Sequence, residues 1–418
     1  MVTPGSEASV PRKCLVLILD GLGDLPVAAM GGQTPLEAAE TPIFNRLAGN
    51  GQHGLVDPVA PGVIPNTHSG VGLMFGLRPE QMHLLKRGPV EAAGAGLKLN
   101  PGDIAFRANF ATLEERRDRL YVSDRRAGRV TSDSAEFADV LKEVDLGDDV
   151  IARFQATDQH RGVLVLSGPN LADHVADTDP GDARAPGWLK TCLPLESSSA
   201  FTAHKVNQFV KMAHERLQAH PLNRLREEAG KLPVTGVITR GAGGWFDLED
   251  VLAERGIKAA LVAGCNTVAG LGQIFGMDVI RKPGFTADED TDILAKLRAA
   301  RAALESHPLV YVHIKATDLF SHDFKPGGKR EFIEHVDRAM GLFEDSDTAV
   351  ALTSDHTTNS NTGSHSADPV PVFLHLPDHV AGDTGNTVNF GETACRNGTL
   401  QRRSGHEFLL SIVDYLDS

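Results

Sequence analysis

Three apolar runs in this chain lead to an aspartate. "LVLILD" closes on Asp20, "LVYVHIKATD" reaches Asp318, and "TAVALTSDH" reaches Asp355 and His356. Short apolar runs separated by longer amphipathic stretches are the pattern of buried parallel strands joined by crossover helices. That pattern narrows the fold more than any other feature, because such sheets place ligands beyond the carboxyl ends of their strands. "KAALVA" (258 to 263), "MDVI" (277 to 280) and the "ITR" that follows "PVTGV" read as further strands. "TPLEAAETPIFNRLAGNG" reads as a helix with Thr34 as N-cap and Pro35 at its first position.

A chain of 418 residues exceeds the usual size of a single core. The stretch from about 86 to 235 is rich in Gly, Pro, Arg and Asp, with its own strand "GVLVLS" and a long helix near 199 to 218. It reads as an inserted domain, with 1–85 and 236–418 forming the core. The formal charge of −14 argues against nucleic acid as a partner, since phosphate-backbone binding needs clustered Lys and Arg. A few local arginines would still suffice for an anionic metabolite. Cys14, Cys192, Cys265 and Cys395 are scattered without CxxC spacing, which fits a reducing compartment. No apolar run is long enough to span a bilayer, and the first ten residues lack the apolar core of a secretory signal. The expectation is a cytoplasmic protein without a membrane partner.

The strand ends carry the chemistry. Asp20 is followed by "GLGD", whose glycines permit a tight turn; Asp318 is followed by His322 one helical turn later; Asp355 and His356 are followed by His365. A lone Asp after a strand is ordinarily a helix cap, and a lone His is ordinarily a surface or core residue. Repetition at three ends of one sheet points instead to convergence, and carboxylate mixed with imidazole suits Zn or Mn. "KREFIEHVDRAM", by contrast, is an amphipathic helix in which His335 needs no function.

The segments "LDGLGD", "TPLEAAETP", "RGPVEAAGAG", "GDIAFRANFAT", "DRRAGR", "DTDP", "RGAG", "HIKATD" and "TSDHTT" with "HSADPVPV" span nearly the whole chain. In these the chain resembles the archaeal-type cofactor-independent phosphoglycerate mutases of the alkaline phosphatase superfamily. The resemblance implies an α/β fold: a core with a mainly parallel sheet flanked by helices, plus a smaller inserted α/β cap that binds substrate. It implies two divalent metal ions, Mn or Zn, and no organic cofactor. Asp20, Asp355 and His356 would hold one ion together with the nucleophile, and Asp318, His322 and His365 the other. Lys315 would neutralise the transferred group. Asp124, Arg125 and Arg126, with Arg129, His160 and Arg161, and Arg240 resemble segments that bind the substrate, a small anionic phosphorylated or phosphonylated acid. Guanidinium suits this because its planar fork donates paired hydrogen bonds.

The chain departs from these relatives at the nucleophile. Where they carry Ser, the register of "IPNTHSGVGLMFGL" gives Thr67, preceded by Asn66 as a substrate contact. A Thr hydroxyl can form a phosphoenzyme, with a stiffer χ1 and an extra methyl. The competing reading makes Thr67 an N-cap, and Ser69 is the substitute nucleophile. His68, "GLRP", Ser167 and Gly181 also depart from the family pattern. The implied activity is phosphoryl transfer through phosphothreonine, in its simplest form interconverting 3-phosphoglycerate and 2-phosphoglycerate. The alternative is transfer or hydrolysis of a phosphonate, a nucleotide-activated phosphonate or a phosphodiester. A metal-binding protein without catalysis is the third reading.

Overall fold

A computed structural model describes residues 12–131, 133–181, 187–344, 346–377 and 388–418. The chain divides into two compact units, one of Met1–Met82 with Leu248–Ser418 and one of His83–Asp247.

The first unit is built on an eight-stranded sheet. Cys14–Leu19 lies at its centre, buried on both faces, so its sequence reads as an unbroken apolar run. It pairs in parallel with Leu309–Ile314 on one side and Ala349–Thr353 on the other. Leu19 is opposite Ile314, and Ile18 is opposite Thr353, so the three carboxyl ends are level. Continued past the strand ends, that register sets Asp20 beside Lys315 and Asp355. Ala259–Val262 and Asp278–Ile280 extend the parallel part; Val370–His375 is antiparallel to Ala349–Thr353, and Gln52–Asp57 and Gln401–Ser404 complete the sheet. Leu15, Leu17, Phe44, Leu297, Ile333 and Phe373 belong to one continuous apolar core.

The helix Thr67–Met74 packs so closely that a Cβ on Gly70 would stand 2.1 Å from the Asp355 carbonyl oxygen. That approach fixes the helix start beside the strand end carrying Asp355.

The expected helix from Thr34 forms only as a turn; the helix proper is Pro42–Gly49. Thr34 and Glu37 do make reciprocal cap bonds, the Thr34 hydroxyl accepting from the Glu37 N–H and a Glu37 oxygen from the Thr34 N–H. Pro42 then supplies no N–H and biases Thr41 away from the helical region, so the helix restarts there.

The second unit is a mainly antiparallel sheet around the long strand Ile104–Arg116, which lies between Arg161–Ser167 and Gly236–Gly244. The "ITR" strand thus belongs to this sheet, and the unit ends at Asp247 rather than at residue 235. The helix Ala200–Gln218 contributes Val206 and Phe209 to a core with Phe110 and Phe154. Among the described residues, no helix is long and apolar enough to cross a membrane.

One buried carboxyl tethers the loop after the central strand. Glu392 Oε1 accepts from the Asp24 N–H and Oε2 from the Thr34 hydroxyl. Burial pushes its pKa up to about 7, against the hydrogen bond from Thr34. A carboxyl with a raised folded-state pKa contributes stability that is present below its unfolded value and lost as pH rises through the folded one. Glu392→Gln should therefore gain stability relative to the native chain progressively between about pH 4.5 and about 7, read as a widening gap in Tm. A gap independent of pH would contradict it. Gly70→Ala should cost about 2 kcal/mol or more, because the Asp355 backbone must yield, and denaturant unfolding measures it.

Candidate active site

The side chains at the three strand ends converge. Asp318, His322 and His365 bring ligand atoms within 4.8 Å of one another, as do Asp20, Asp318 and His356, and Asp20, His313 and Asp355. Local structure explains each placement. The helix Ala316–His322 starts directly after its strand, and a four-residue spacing sets Asp318 and His322 on one face, with His322 Nε2 3.2 Å from Asp318 Oδ1. His365 returns on a short hairpin in which it pairs with Thr358, and its ring stacks on His356 at a centroid distance of 3.7 Å.

The imidazoles are oriented alike. Nδ1 of His322 lies 2.9 Å from the Gly363 carbonyl and Nδ1 of His365 3.1 Å from the Pro65 carbonyl. Carbonyls only accept, so these Nδ1 atoms carry the proton. His356 Nδ1 lies 3.0 Å from the Thr358 hydroxyl, whose own proton goes to Asp318 Oδ1 at 2.8 Å; this Nδ1 is also the donor. In the neutral rings every Nε2 therefore presents a lone pair. His356 Nε2 presents it 3.3 Å from Asp20 Oδ1 and 3.2 Å from Asp355 Oδ2, and both this nitrogen and Asp355 Oδ2 are buried without a hydrogen-bond partner. A lone pair facing two carboxylates is repulsive unless a cation, or a proton held by Asp355, lies between them. The donor set of carboxylate oxygen and imidazole nitrogen fits a divalent metal ion.

Burial would raise the Asp20 pKa, but Lys315 and His313 outweigh it and keep the group well below the usual carboxylate range. Asp355 is raised, by burial and then by Asp20. Lys315 donates to Asp20 Oδ1 at 2.9 Å and Asp318 Oδ2 at 2.7 Å; burial opposes its charge, yet these two carboxylates hold its pKa above the ordinary lysine value. The contact with Asp318 raises the His322 pKa, so on Nε2 a proton and a cation compete for the same lone pair.

Thr67 is the first residue of its helix, not the cap. Asn66 occupies that position, its side-chain oxygen accepting from the Ser69 N–H while Ser69 Oγ accepts from the Asn66 N–H. Ser69 is thereby committed to the cap, and so is the Asn66 side-chain oxygen. Gly70 against Asp355 and Pro65 against His365 fix the helix start on either side of Thr67, beside the aspartates and imidazoles.

Sequence reasoning missed the support behind this cluster. His313 lies inside a buried apolar strand, yet its Nε2 is 3.0 Å from Asp20 Oδ2. Lys329, on the helix Pro326–Ala339 that looked merely amphipathic, is fully buried and pairs with Asp24 at 2.8 Å. The Thr317 hydroxyl donates to the Asp20 carbonyl. A histidine inside "LVYVHI" and a lysine on the apolar side of a helix were the available signals.

Within the second unit the expected basic residues fall into two groups. Arg125 donates to Asp179 Oδ1 at 2.7 Å, and Arg240 lies 4.0 Å from the same carboxylate. Burial, then Arg87, lowers the Arg240 pKa, which adds Arg87 as a neighbour that the sequence did not single out. His160 feels Arg161, Arg126, Arg129 and Asp124; burial first, then these cations, push its pKa down to about 4. The Asp124 carboxylate accepts from the Arg126 and Gly128 N–H groups, shaping the turn of "DRRAGR".

Comparison with known proteins agrees with this arrangement. A family model described as 2,3-bisphosphoglycerate-independent phosphoglycerate mutase matches residues 48–223. Proteins named 2,3-bisphosphoglycerate-independent phosphoglycerate mutase are 40% identical in Methanopyrus kandleri, over 97% of both chains, and 38% identical in Ignicoccus hospitalis, over 96% of this chain and 97% of that one. The solved cofactor-independent phosphoglycerate mutase of Thermoplasma acidophilum superposes with a TM-score of 0.69 at 31% identity, covering 97% of this chain and 100% of the other. A solved protein of Pyrococcus horikoshii gives 0.80 at 31% identity, covering 98% of each chain. With that identity sustained from end to end, the chain belongs to the 2,3-bisphosphoglycerate-independent phosphoglycerate mutase family.

Proposed function

We propose that this enzyme interconverts 3-phosphoglycerate and 2-phosphoglycerate through a phosphothreonine at Thr67, using two divalent ions, Mn or Zn. The observation that supports it most directly is the orientation of three imidazoles, each donating through Nδ1 and turning Nε2 toward buried carboxylates. Asp20, Asp355 and His356, with Thr67, would hold one ion, and Asp318, His322 and His365 the other. Bound there, the ions would lower the pKa of an alcohol and neutralise charge on a transferred phosphoryl group.

The chain's own groups do the rest. The Thr67 hydroxyl gives up its proton and its oxygen attacks phosphorus, the bond from phosphorus to the glycerate oxygen breaks, and that oxygen takes up the released proton. The glycerate then turns and its other hydroxyl displaces Thr67, so the phosphoryl group is conserved. Lys315, kept protonated by Asp20 and Asp318, offsets negative charge on the transferred group. Arg125, Arg126, Arg161 and Arg240, with Asp124 and His160, are assigned to the substrate's carboxylate and hydroxyls, and the unused amide N–H groups of Asn66 to its phosphate. The names of the relatives favour the mutase over transfer or hydrolysis of a phosphonate or phosphodiester.

In an enolase-coupled assay with 3-phosphoglycerate, Thr67→Ala should lower kcat by at least about a thousandfold with an unchanged Tm, while Thr67→Ser retains turnover. Near-native activity in the alanine variant would sink the phosphothreonine. Stripping the protein with a chelator should abolish activity and lower Tm, with both restored by Mn²⁺ or Zn²⁺. A stripped protein that still turns over substrate would exclude the two-ion centre.

A further inference from the structure

We propose that Thr358 is a positioning residue that couples the two halves of the cage, its one hydroxyl setting the tautomer of His356 and the lone pairs of Asp318 together. This rests on the two-ion reading above. The hydroxyl has a single proton, and it lies 2.8 Å from Asp318 Oδ1 and 3.0 Å from His356 Nδ1. Donating to the carboxylate obliges it to accept from Nδ1, and the Nε2 lone pair then faces Asp20 and Asp355. If the hydroxyl rotated to donate to Nδ1, the ring proton would move to Nε2 and close the first set to a cation. Asp318 Oδ1 would lose its hydrogen bond in the same motion. One rotor thus switches a ligand of each set.

The rotor is held in place. The Thr358 N–H donates to the Gly23 carbonyl at 3.0 Å, and the buried Lys329 ammonium approaches the Thr358 carbonyl at 3.3 Å. Gly21, at φ +63°, leaves room for both the hydroxyl and its acceptor: a Cβ there would come 2.5 Å from Thr358 Oγ1 and 3.0 Å from Asp318 Oδ1. Asp318 Oδ1 also faces His322 at 3.2 Å and His365 at 3.6 Å, so the oxygen that takes the Thr358 proton belongs to the second set. Its two lone pairs divide between Thr358 and that set, and Lys315 occupies the other oxygen. Residues that orient metal ligands in this way commonly change affinity by 10- to 100-fold when removed.

The test is calorimetric titration of Zn²⁺ into metal-stripped native protein, Thr358→Val and Thr358→Ser, with ¹⁵N imidazole spectra of the Zn²⁺-loaded forms. Valine keeps the shape and removes the hydroxyl, and serine restores it. Valine should weaken both ions by about 10- to 100-fold and mix the His356 tautomers, while serine stays within about threefold of native with Nδ1–H retained. Two native-strength sites in the valine variant would overturn the proposal, as would weakening of one site alone, or failure of serine to rescue. A valine variant that does not fold, seen in its circular dichroism, leaves the decision to serine and to Thr358→Ala, which removes the hydroxyl without adding bulk and should weaken both ions; native affinity in that alanine variant overturns the proposal. A native protein that binds no Zn²⁺ defeats the two-ion reading and this inference together, whereas native binding of two ions with an unaffected valine variant defeats the coupling alone.

Discussion

Three carboxylates from distant parts of the chain, Asp20, Asp318 and Asp355, are buried within reach of one another, and most of the first unit is arranged around that fact. Like charges in a low-dielectric interior repel strongly, and each also loses its hydration. Lys315 offsets part of this, and Asp355 responds by holding its proton more tightly than an ordinary carboxyl. The remaining excess of acceptor atoms is what a pair of divalent ions would satisfy. The sheet register contributes directly, because level strand ends force the carboxylates together whatever their electrostatic preference. Burial of the central strands against the apolar core supplies the free energy that holds them there.

Much of this was legible from residue order alone. Apolar runs ending in acid marked Asp20, Asp318 and Asp355, and the spacing to His322 placed it on a shared helical face. What was not legible depends on tertiary partners. His313 and Lys329 look out of place in their elements until Asp20 and Asp24 are seen opposite them. Thr358 is one of several hydroxyl residues in "TSDHTTNSNTGS", and only the packing of Gly21 shows which hydroxyl faces both Asp318 and His356. The Thr34 helix failed for a local reason, because the cap signal was real but Pro42 ended its influence within a turn. The strand Gly236–Gly244 was assigned to the wrong unit because a strand carries no mark of the sheet it joins; its partner Ile104–Arg116 lies more than a hundred residues earlier.

The second unit follows a different electrostatic logic. Arg125 is matched to Asp179 and Arg87 to Glu91, while Arg240 lies 4.0 Å from Asp179 and loses some of its basicity first to burial and then to Arg87. Arginine tolerates such crowding because its guanidinium stays charged and is weakly hydrated, where a lysine would shed its proton. The low pKa of His160 follows first from burial and then from a separate set of cations, Arg161, Arg126 and Arg129, so this ring remains a neutral hydrogen-bonding group across the physiological range.

A threonine as the proposed nucleophile has consequences that its surroundings constrain. Its β-branch limits χ1, so the hydroxyl samples fewer directions than a serine would. Helix placement must then do what rotamer freedom cannot. Asn66 caps the helix, Ser69 closes the capping box, and Gly70 allows the helix to sit on the Asp355 backbone. These contacts fix the Thr67 backbone and leave its hydroxyl outside the cap. A flexible serine tolerates a looser helix start, because rotation compensates for small displacements. A threonine gains a restricted orientation at the cost of that tolerance, and the tight seat at Gly70 supplies the positional accuracy it requires.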